Sequence, residues 1–178
     1  MVKVLVPLVE GFEEIEAITI IDVLRRAGID VTTAGIAGNI VEGMNRIRVY
    51  ADDRMIDSDS TNYDAIILPG GGKAAQLMAQ SQHINLTLHD FFKKGKIIGA
   101  ICAAPTVLAK AGILKDKRAT CYPGMERELD LPRPDKVMVD GNIITSQAPG
   151  TAMEFALTLV KKLVGPAKVE QLKKELVI

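Results

Sequence analysis

Short apolar runs alternate with amphipathic stretches along the whole chain. Four of the runs have the length and composition of buried strands, at 2–9, 29–35, 63–69 and 96–101. Residues 46–50 alternate between apolar and polar side chains, which is typical of a strand with one exposed face. Two further segments, 136–140 and 142–146, flank Gly141 as the strands of a hairpin would.

The amphipathic stretches carry helix boundary signals. Residues 13–27 have acids in the first turn, arginines in the last turn and Gly28 directly beyond. Residues 81–94 present one apolar face and end at Gly95. Three more helices are predicted: one from Pro105, one from a Thr151–Glu154 capping box to Lys162, and one from Pro166.

Strands that alternate with helices predict an α/β fold, because each helix returns the chain to the next parallel strand. We therefore expect a flavodoxin-like, doubly wound, mostly parallel sheet with helices on both faces, in a single domain spanning 1–178. The polar segments 52–62 and 124–135 are expected to be loops, and the glycines at 70–72 a turn.

Cys102 follows one of the buried strands and precedes Pro105, which suits the first position of a helix. The small residues Ala100 and Ala104 lie two positions before and after it, as a sharp strand-to-helix turn requires. A thiol at such a turn can act as a nucleophile. The alternative is an inert buried cysteine, which is the more common case.

Two other segments place functional groups at the same edge of the predicted sheet. Glu16 aligns with Ile20, Val23 and Ala27 in an otherwise apolar row of its helix. It either complements the helix dipole or faces a buried pocket. The glycines at 70–72 form either a plain turn or a turn whose N–H groups point at a ligand. Because ligands bind outside the carboxyl ends of parallel strands, the segments together predict a thiol-based site.

Composition excludes several classes of function. The chain has 22 lysine and arginine residues and 22 aspartate and glutamate residues. Because these charges balance, neither a specific nucleic-acid partner nor an anionic membrane is expected. The N-terminus has no signal-peptide layout or membrane span. Two cysteines make no disulfide framework, which favours a reducing cytoplasm.

The sequence contains no motif for a metal or cofactor, and none is expected. His83 and His89 fall on different faces of one helix, and no cysteine–histidine pair has the spacing of zinc ligands. A phosphate-binding loop is excluded because Lys73 is followed by Ala74 rather than serine or threonine.

The chain resembles the ThiJ/PfpI superfamily, a class I glutamine amidotransferase-like group, and within it the branch of the parkinsonism-associated protein and its bacterial relatives. The resemblance spans nearly the whole chain and rests on four segments: Gly11–Glu16, Leu68–Gly71, Ala100–Pro105 and Pro149–Thr151. It implies a flavodoxin-like fold and a homodimer with an active site near its interface.

The resemblance also implies roles for individual residues. Cys102 matches the family's nucleophilic, oxidation-sensitive cysteine, and Glu16 matches the carboxyl that hydrogen-bonds it. The other matched positions are Gly71 and Ala103 for the oxyanion hole, and Arg26, Arg46, Tyr122 and Pro149 around the pocket. Cys121 matches no essential position and is expected to be structural.

Two departures bear on the activity. Protease and amidase members have histidine after the cysteine, where this chain has Ala103. The parkinsonism-associated protein has a His-Pro pair where this chain has Tyr122 and Pro123. Neither histidine of the chain falls at a family site, so the resemblance disfavours a peptidase.

Three functions remain open. The first is a glyoxalase or deglycase acting on small dicarbonyls such as methylglyoxal and glyoxal, or on glycated protein and nucleotide groups. The second is a redox sensor or redox-regulated chaperone that works through oxidation of Cys102. The third is a cysteine peptidase or amidase.

Two physical expectations follow. The pKa of Cys102 should lie well below that of an ordinary cysteine, provided that Glu16 is neutral. Ile15 and Ile18 should contact a second subunit, because the apolar residues of helix 13–27 cover most of its circumference.

Overall fold

The computed structural model describes residues 1–178. Its strands are β1 Lys3–Leu8, β2 Asp30–Gly35, β3 Ile40–Glu42, β4 Arg48–Tyr50, β5 Asp53–Arg54, β6 Ala65–Leu68, β7 Ile97–Ile101, β8 Arg118–Ala119, β9 Leu131–Pro132, β10 Val137–Asp140 and β11 Ile143–Ser146. Its helices are α1 Glu14–Arg26, α2 Gly72–Gln80, α3 Gln82–Lys93, α4 Pro105–Lys110, α5 Ala152–Val164 and α6 Pro166–Leu176.

The central sheet has seven strands in the order β10-β11-β7-β6-β1-β2-β5. All neighbouring strands are parallel except β10 and β11, which form the predicted hairpin. From β1 the chain moves to β2 on one side and later to β6 on the other. This reversal leaves a crevice at the carboxyl ends of β1 and β6, which is where ligands bind in such sheets.

Helices cover the sheet in two groups. Helix α5 packs against α1 and α6, whereas α2 packs against α3 and α4. Buried aliphatic side chains of β1, β6 and β7 fill the space between these groups. The predicted α/β fold is confirmed. None of the helices is long and apolar enough to cross a bilayer.

The expectation of a plain turn at residues 70–72 is wrong in part. The turn ends at Gly71, and α2 begins at Gly72 without a side-chain cap. Ala74, Ala75 and Met78 form its buried face. The helix was hidden from the sequence pattern because glycine opens it and no polar residue caps it.

The polar loops contain more regular structure than expected. Residues 40–42 pair with β4 in a separate two-stranded hairpin, and β5 joins the edge of the main sheet beside β2. Within 124–135, β9 pairs with β8. These pieces are two or three residues long, which is too short to produce a recognisable periodicity.

The predicted capping box at Thr151 is also wrong. Its hydroxyl makes no bond to the first turn of α5 and instead contacts Ser146 at 2.6 Å and the backbone of Ala148. A single 3₁₀ turn, Pro149–Thr151, precedes α5, and the helix runs to Val164 rather than Lys162.

Candidate active site

Cys102 occupies the turn between β7 and α4, as the sequence predicts. Its φ of 64° lies in the left-handed region, which is strained for a residue other than glycine. Backbone hydrogen bonds on both sides hold this conformation: Cys102 N–H donates to Ser146 O at 2.9 Å, and Tyr122 N–H donates to Cys102 O at 2.8 Å. The side chain is 8% exposed, so its sulfur lies at the bottom of a cavity rather than in solvent.

Glu16 lies in the first turn of α1 and is fully buried. Its Oε2 accepts a hydrogen bond from Gly70 N–H at 2.8 Å. Its Oε1 has no hydrogen-bond partner, and the carboxyl lies beside Cys102: Glu16 Oε2 and Cys102 Cβ both border Gly70. Of the two interpretations of Glu16, the structure therefore supports a carboxyl that faces a buried site.

The glycine turn brings backbone N–H groups to the sulfur. The N–H groups of Gly71 and Ala103 lie close enough to Cys102 to lower the pKa of its thiol. Gly71 has a φ of 102°, and a Cβ atom there would overlap Gly11 O, so only glycine suits this position. Of the two interpretations of the glycines, the structure favours a turn whose N–H groups point at a ligand bound beside Cys102.

Burial raises the pKa of Glu16 to about 7. The negative charge of Glu13 acts in the same direction, while the nearby Cys102 thiol and the hydrogen bond from Gly70 N–H lower the pKa. Glu16 therefore gains and loses its proton near neutral pH, which is where a general acid or base is most effective.

The expectation of a low pKa for Cys102 is wrong for the molecule in which Glu16 is ionised. There, burial and then the Glu16 carboxylate raise the pKa of the thiol to about 12, against the nearby N–H groups of Gly71 and Ala103. The low value requires a protonated Glu16. Because the two groups are neighbours, they titrate as a pair, which loses its first proton near pH 7 and keeps the second well above neutral pH.

A cavity of about 370 Å³ opens above the sulfur. Its lining residues are Glu13, Met44, Asn45, Gly71, Gly72, Cys102, Ala103, Tyr122, Met125 and Pro149. Tyr122 and Pro149 thus line the pocket, as the sequence predicts. A cavity of this volume suits a small molecule rather than a peptide.

The two arginines expected near the pocket do not line it. Arg26 lies at the opposite end of α1 from Glu16, where its guanidinium pairs with Asp22 at 2.7 Å and Glu175 at 3.0 Å. Arg46 is exposed on the hairpin turn, next to the lining residue Asn45. Neither arginine therefore lines the pocket within a single chain, and a place for them near the site stays a prediction.

Met44 and Asn45 form a wall of the pocket that the sequence pattern did not indicate. Glu14, a buried neighbour of Glu16, holds this wall by accepting hydrogen bonds from Asn45 N–H at 2.6 Å and Asn45 Nδ2 at 2.9 Å. A Cβ atom at Gly43 would overlap the Glu14 carboxylate, so a glycine is needed for the turn to close over it. No local pattern signals this contact, because it joins residues 31 positions apart.

Cys121 lies outside the pocket. Both cysteines are free, and Cys121 is buried beside a separate cavity. Burial, and then the charge of Glu126, raise the pKa of its thiol to about 11. The structure therefore gives Cys121 no partner for acid–base chemistry.

A larger cavity, of about 590 Å³, lies at the carboxyl ends of β1 and β2. Its walls are mainly aliphatic side chains, and it contains no cysteine or histidine. The pocket that contains a nucleophilic side chain is therefore the smaller one.

Comparison with known proteins gives a consistent family assignment. Residues 2–162 match the DJ-1/PfpI family. Protein dj-1beta of Drosophila melanogaster is 41% identical over 179 residues, covering 98% of this chain and 96% of that protein. The glutathione-independent glyoxalase DJR-1.2 of Caenorhabditis elegans is 39% identical, covering 94% and 91% of the two chains.

Solved structures of similar proteins share the fold. The crystal structure of Drosophila DJ-1beta superposes with a TM-score of 0.96 at 40% identity, covering 99% of this chain and 98% of the other. Oxidized DJ-1 of Toxoplasma gondii gives a TM-score of 0.96 at 36% identity, with the same coverage.

Proposed function

Because the chain belongs to the DJ-1/PfpI family, we propose that it is a cofactor-free enzyme of the glyoxalase or deglycase type. Its substrates would be reactive dicarbonyls such as methylglyoxal and glyoxal, or their early adducts with protein and nucleotide groups. The observation that carries the proposal is the buried contact between Cys102 and Glu16, whose pKa is raised to about 7. The Caenorhabditis elegans relative is named as a glyoxalase, which supports the same class of reaction.

The first step forms a bond between the Cys102 sulfur and the aldehyde carbon of the substrate. Glu16 takes the thiol proton, and the aldehyde oxygen becomes an oxyanion. The N–H groups of Gly71 and Ala103, which lie near the sulfur, would stabilise that oxyanion. Glu16 then returns the proton to the oxyanion, so the product of this step is a hemithioacetal and Glu16 is again a carboxylate.

The second step is an internal redox reaction that needs no cofactor. A base, for which Glu16 is in position, moves the proton of the former aldehyde carbon to the neighbouring ketone carbon through an enediol. The aldehyde carbon is thereby oxidised to a thioester and the ketone carbon is reduced to an alcohol. Water then hydrolyses the thioester, which releases a 2-hydroxycarboxylate and restores the thiol.

A redox sensor is the second candidate. Peroxide would oxidise the sulfur to sulfenate and then to sulfinate, with each peroxide reduced to water. The N–H groups of Gly71 and Ala103 and a protonated Glu16 could hold the added oxygens. The similar DJ-1 of Toxoplasma gondii was solved in an oxidized form, which favours keeping this candidate. A peptidase is disfavoured because the pocket contains no histidine.

The pH dependence of turnover tests the proposed mechanism. The form with one proton shared by Cys102 and Glu16 is the active one, and the form with two protons is inactive. Because burial raises the pKa of Glu16 to about 7, kcat/KM for methylglyoxal should rise about tenfold per pH unit below 7 and level off above it. Initial rates from pH 5 to 9, corrected for the protein-free reaction, measure this. A flat profile would contradict a proton shared by Cys102 and Glu16. If methylglyoxal is not consumed at any pH, the proposed enzyme activity is wrong.

We also propose that the protein forms a homodimer through an α1–hairpin patch. This patch consists of exposed apolar side chains on α1 and on the β3–β4 hairpin: Ile15, Ile18, Met44, Ile47 and Tyr50. Ile18 and Tyr50 line one groove, so the helix and hairpin parts are adjacent. Met44 also lines the active-site pocket, so the site would border the proposed interface. A continuous apolar surface of this kind is typical of an interaction site.

Replacing Ile18 with arginine should dissociate the dimer, since it places an unpaired charge in the proposed interface. Light scattering across a dilution series should then give the mass of one chain for I18R and of two chains for the wild type. The matched control is Leu86→Arg, which alters an apolar side chain on α3, away from the patch, that is 62% exposed compared with 44% for Ile18. A wild-type mass in I18R would place the interface elsewhere.

The remaining expectations fit the same proposal. Two free cysteines suit a reducing compartment such as the cytoplasm. The net charge of +0 provides no general attraction to nucleic acids.

A further inference from the structure

Residues 118–122 lead from β8 to the pocket residue Tyr122. Because β8 pairs with β9 in a small sheet of its own, individual hydrogen bonds attach this segment to the central sheet and to the Cys102 turn. Every second N–H group donates to an acceptor there: Arg118 to Asp140 Oδ2 at 3.0 Å, Thr120 to Thr145 Oγ1 at 2.9 Å, and Tyr122 to Cys102 O at 2.8 Å. The alternation is that of a strand, but two of the three acceptors are side chains.

The bond between Thr120 and Thr145 is the buried one of the two side-chain contacts. Thr145 is fully buried and Thr120 is 1% exposed, whereas the bond between Arg118 and Asp140 lies at the surface. A buried N–H group that loses its acceptor is costly. The Thr145 hydroxyl therefore determines where the backbone at Thr120 can lie.

Thr145 and its neighbour Ser146 act on the two sides of the Cys102 peptide. Both belong to β11, which pairs with β7 directly before the Cys102 turn. Ser146 O accepts the Cys102 N–H at 2.9 Å, and the Thr145 hydroxyl holds Thr120, two residues before the N–H that donates to Cys102 O. A residue other than glycine keeps a φ of 64° only where its surroundings hold it there.

We infer that Thr145 is a positioning residue for the Cys102 thiol. Thr145 is fully buried and is not among the residues that line the pocket, so it acts through the backbone of residues 120–122. Without its hydroxyl that segment is free to shift, and the strained turn loses part of its support. The sulfur then moves relative to Glu16 and to the nearby N–H groups, all of which act on its pKa.

Replacing Thr145 with valine tests the inference, because valine keeps the shape of the side chain and removes the hydroxyl. Alkylation of Cys102 by iodoacetamide should become about tenfold slower in T145V, since a misplacement of about 1 Å can lower a rate by about 10²-fold. In this reaction the sulfur bonds to the methylene carbon, iodide leaves, and the thiol proton passes to Glu16 or to solvent. Mass spectrometry of the Cys102 peptide measures the rate, so that Cys121 is scored separately.

Hydrogen exchange gives a second measurement on the same variant. The backbone N–H groups of residues 120–122 should exchange faster in T145V than in the wild type, because the N–H of Thr120 has lost its acceptor. If T145V does not fold, Thr145→Cys takes its place, since a sulfur is only a weak acceptor. It should show the same losses, and the same results decide.

Two further variants separate positioning from a loss of stability. Thr145→Ser keeps the hydroxyl and loses a methyl group, so it should alkylate at the wild-type rate even though its melting temperature falls. Thr33→Val makes the same change on β2, which β6 and β1 separate from β7. Thr33 Oγ1 also accepts a backbone N–H at 2.9 Å, from Asp52, and donates to Asp52 Oδ2 at 2.7 Å. T33V should leave the alkylation rate unchanged.

All rates are compared at a temperature at which thermal unfolding shows each variant to be folded. Alkylation in T145V as fast as in T33V, or equally slow in T145S and T145V, would overturn the inference. So would unchanged hydrogen exchange of residues 120–122 in T145V.

Turnover extends the test, and this part rests on the proposed function. The kcat for methylglyoxal should fall in T145V about as much as the alkylation rate, with a smaller change in KM, because Thr145 does not line the pocket. A change confined to KM would contradict a role in placing the thiol. If the wild type lacks turnover while alkylation depends on the Thr145 hydroxyl, the positioning role stands and the proposed enzyme function fails.

Discussion

Replacing Glu16 with glutamine should reduce dicarbonyl turnover by about 10²–10⁴-fold, while Cys102 remains open to oxidation by peroxide. Glutamine keeps nearly the same shape and can still accept the hydrogen bond from Gly70 N–H. It cannot take the thiol proton during attack or return it afterwards. As a partner of an oxidised sulfur, however, it needs only to donate a hydrogen bond, which its amide can do.

Two measurements on E16Q separate the enzyme from the sensor. Steady-state turnover of methylglyoxal gives the catalytic loss, and mass spectrometry of the Cys102 peptide after peroxide treatment gives the sulfinate yield at that residue. Turnover within tenfold of the wild type would show that Glu16 is not the proton carrier. If the wild type itself lacks turnover while Cys102 oxidises readily, the redox sensor becomes the preferred function.

Replacing Gly70 with alanine should reduce turnover by about 10²-fold, because it displaces both members of the pair at once. A Cβ atom at Gly70 would lie 2.5 Å from Glu16 Oε2 and 2.6 Å from Cys102 Cβ. These atoms belong to the buried site, so the added methyl group must push them apart. We expect a loss of stability of about 1–3 kcal/mol, which is the usual effect of overpacking.

The matched control is the pocket-lining neighbour Gly72. A Cβ atom there meets no atom within 4 Å, and Gly72 is the first residue of α2, where alanine is a better helix former. Gly72→Ala should therefore retain wild-type turnover and stability. Kinetics and thermal unfolding of G70A and G72A test these two expectations. Equal turnover in the two variants would contradict the close packing of Glu16 and Cys102 around Gly70.

The sequence predicted the parts of the fold that depend on long, regular patterns. The strands at β1, β6 and β7 are continuous apolar runs, and their alternation with helices determines the parallel sheet. Prediction from the sequence failed where local signals conflict or where an element is too short to show a pattern. Gly72 opens α2 although glycine usually indicates a turn, and Thr151 has the spacing of a capping box but bonds to Ser146 instead.

The candidate site was predictable to the extent that it follows the ends of the strands. Glu16, the glycine turn at 70–72 and Cys102 meet because parallel strands end at one edge of the sheet. Chain pattern could not show the side-chain direction of Arg26, which pairs with Glu175 of the last helix. It also could not show which member of the buried pair keeps the proton, because that depends on burial and contact in three dimensions.

Lactate formation from methylglyoxal, measured side by side for the wild type and Cys102→Ser, tests the central claim most directly. Both purified proteins are incubated with methylglyoxal in a buffer without glutathione, and proton NMR follows substrate and product. Serine keeps the size of the side chain, but its hydroxyl is a far weaker nucleophile than the thiol that Glu16 serves. The wild type should convert methylglyoxal to lactate in a 1:1 ratio, and C102S should match the protein-free blank. Equal lactate from the two proteins, or none above the blank from the wild type, would contradict the assignment of Cys102 as the catalytic nucleophile.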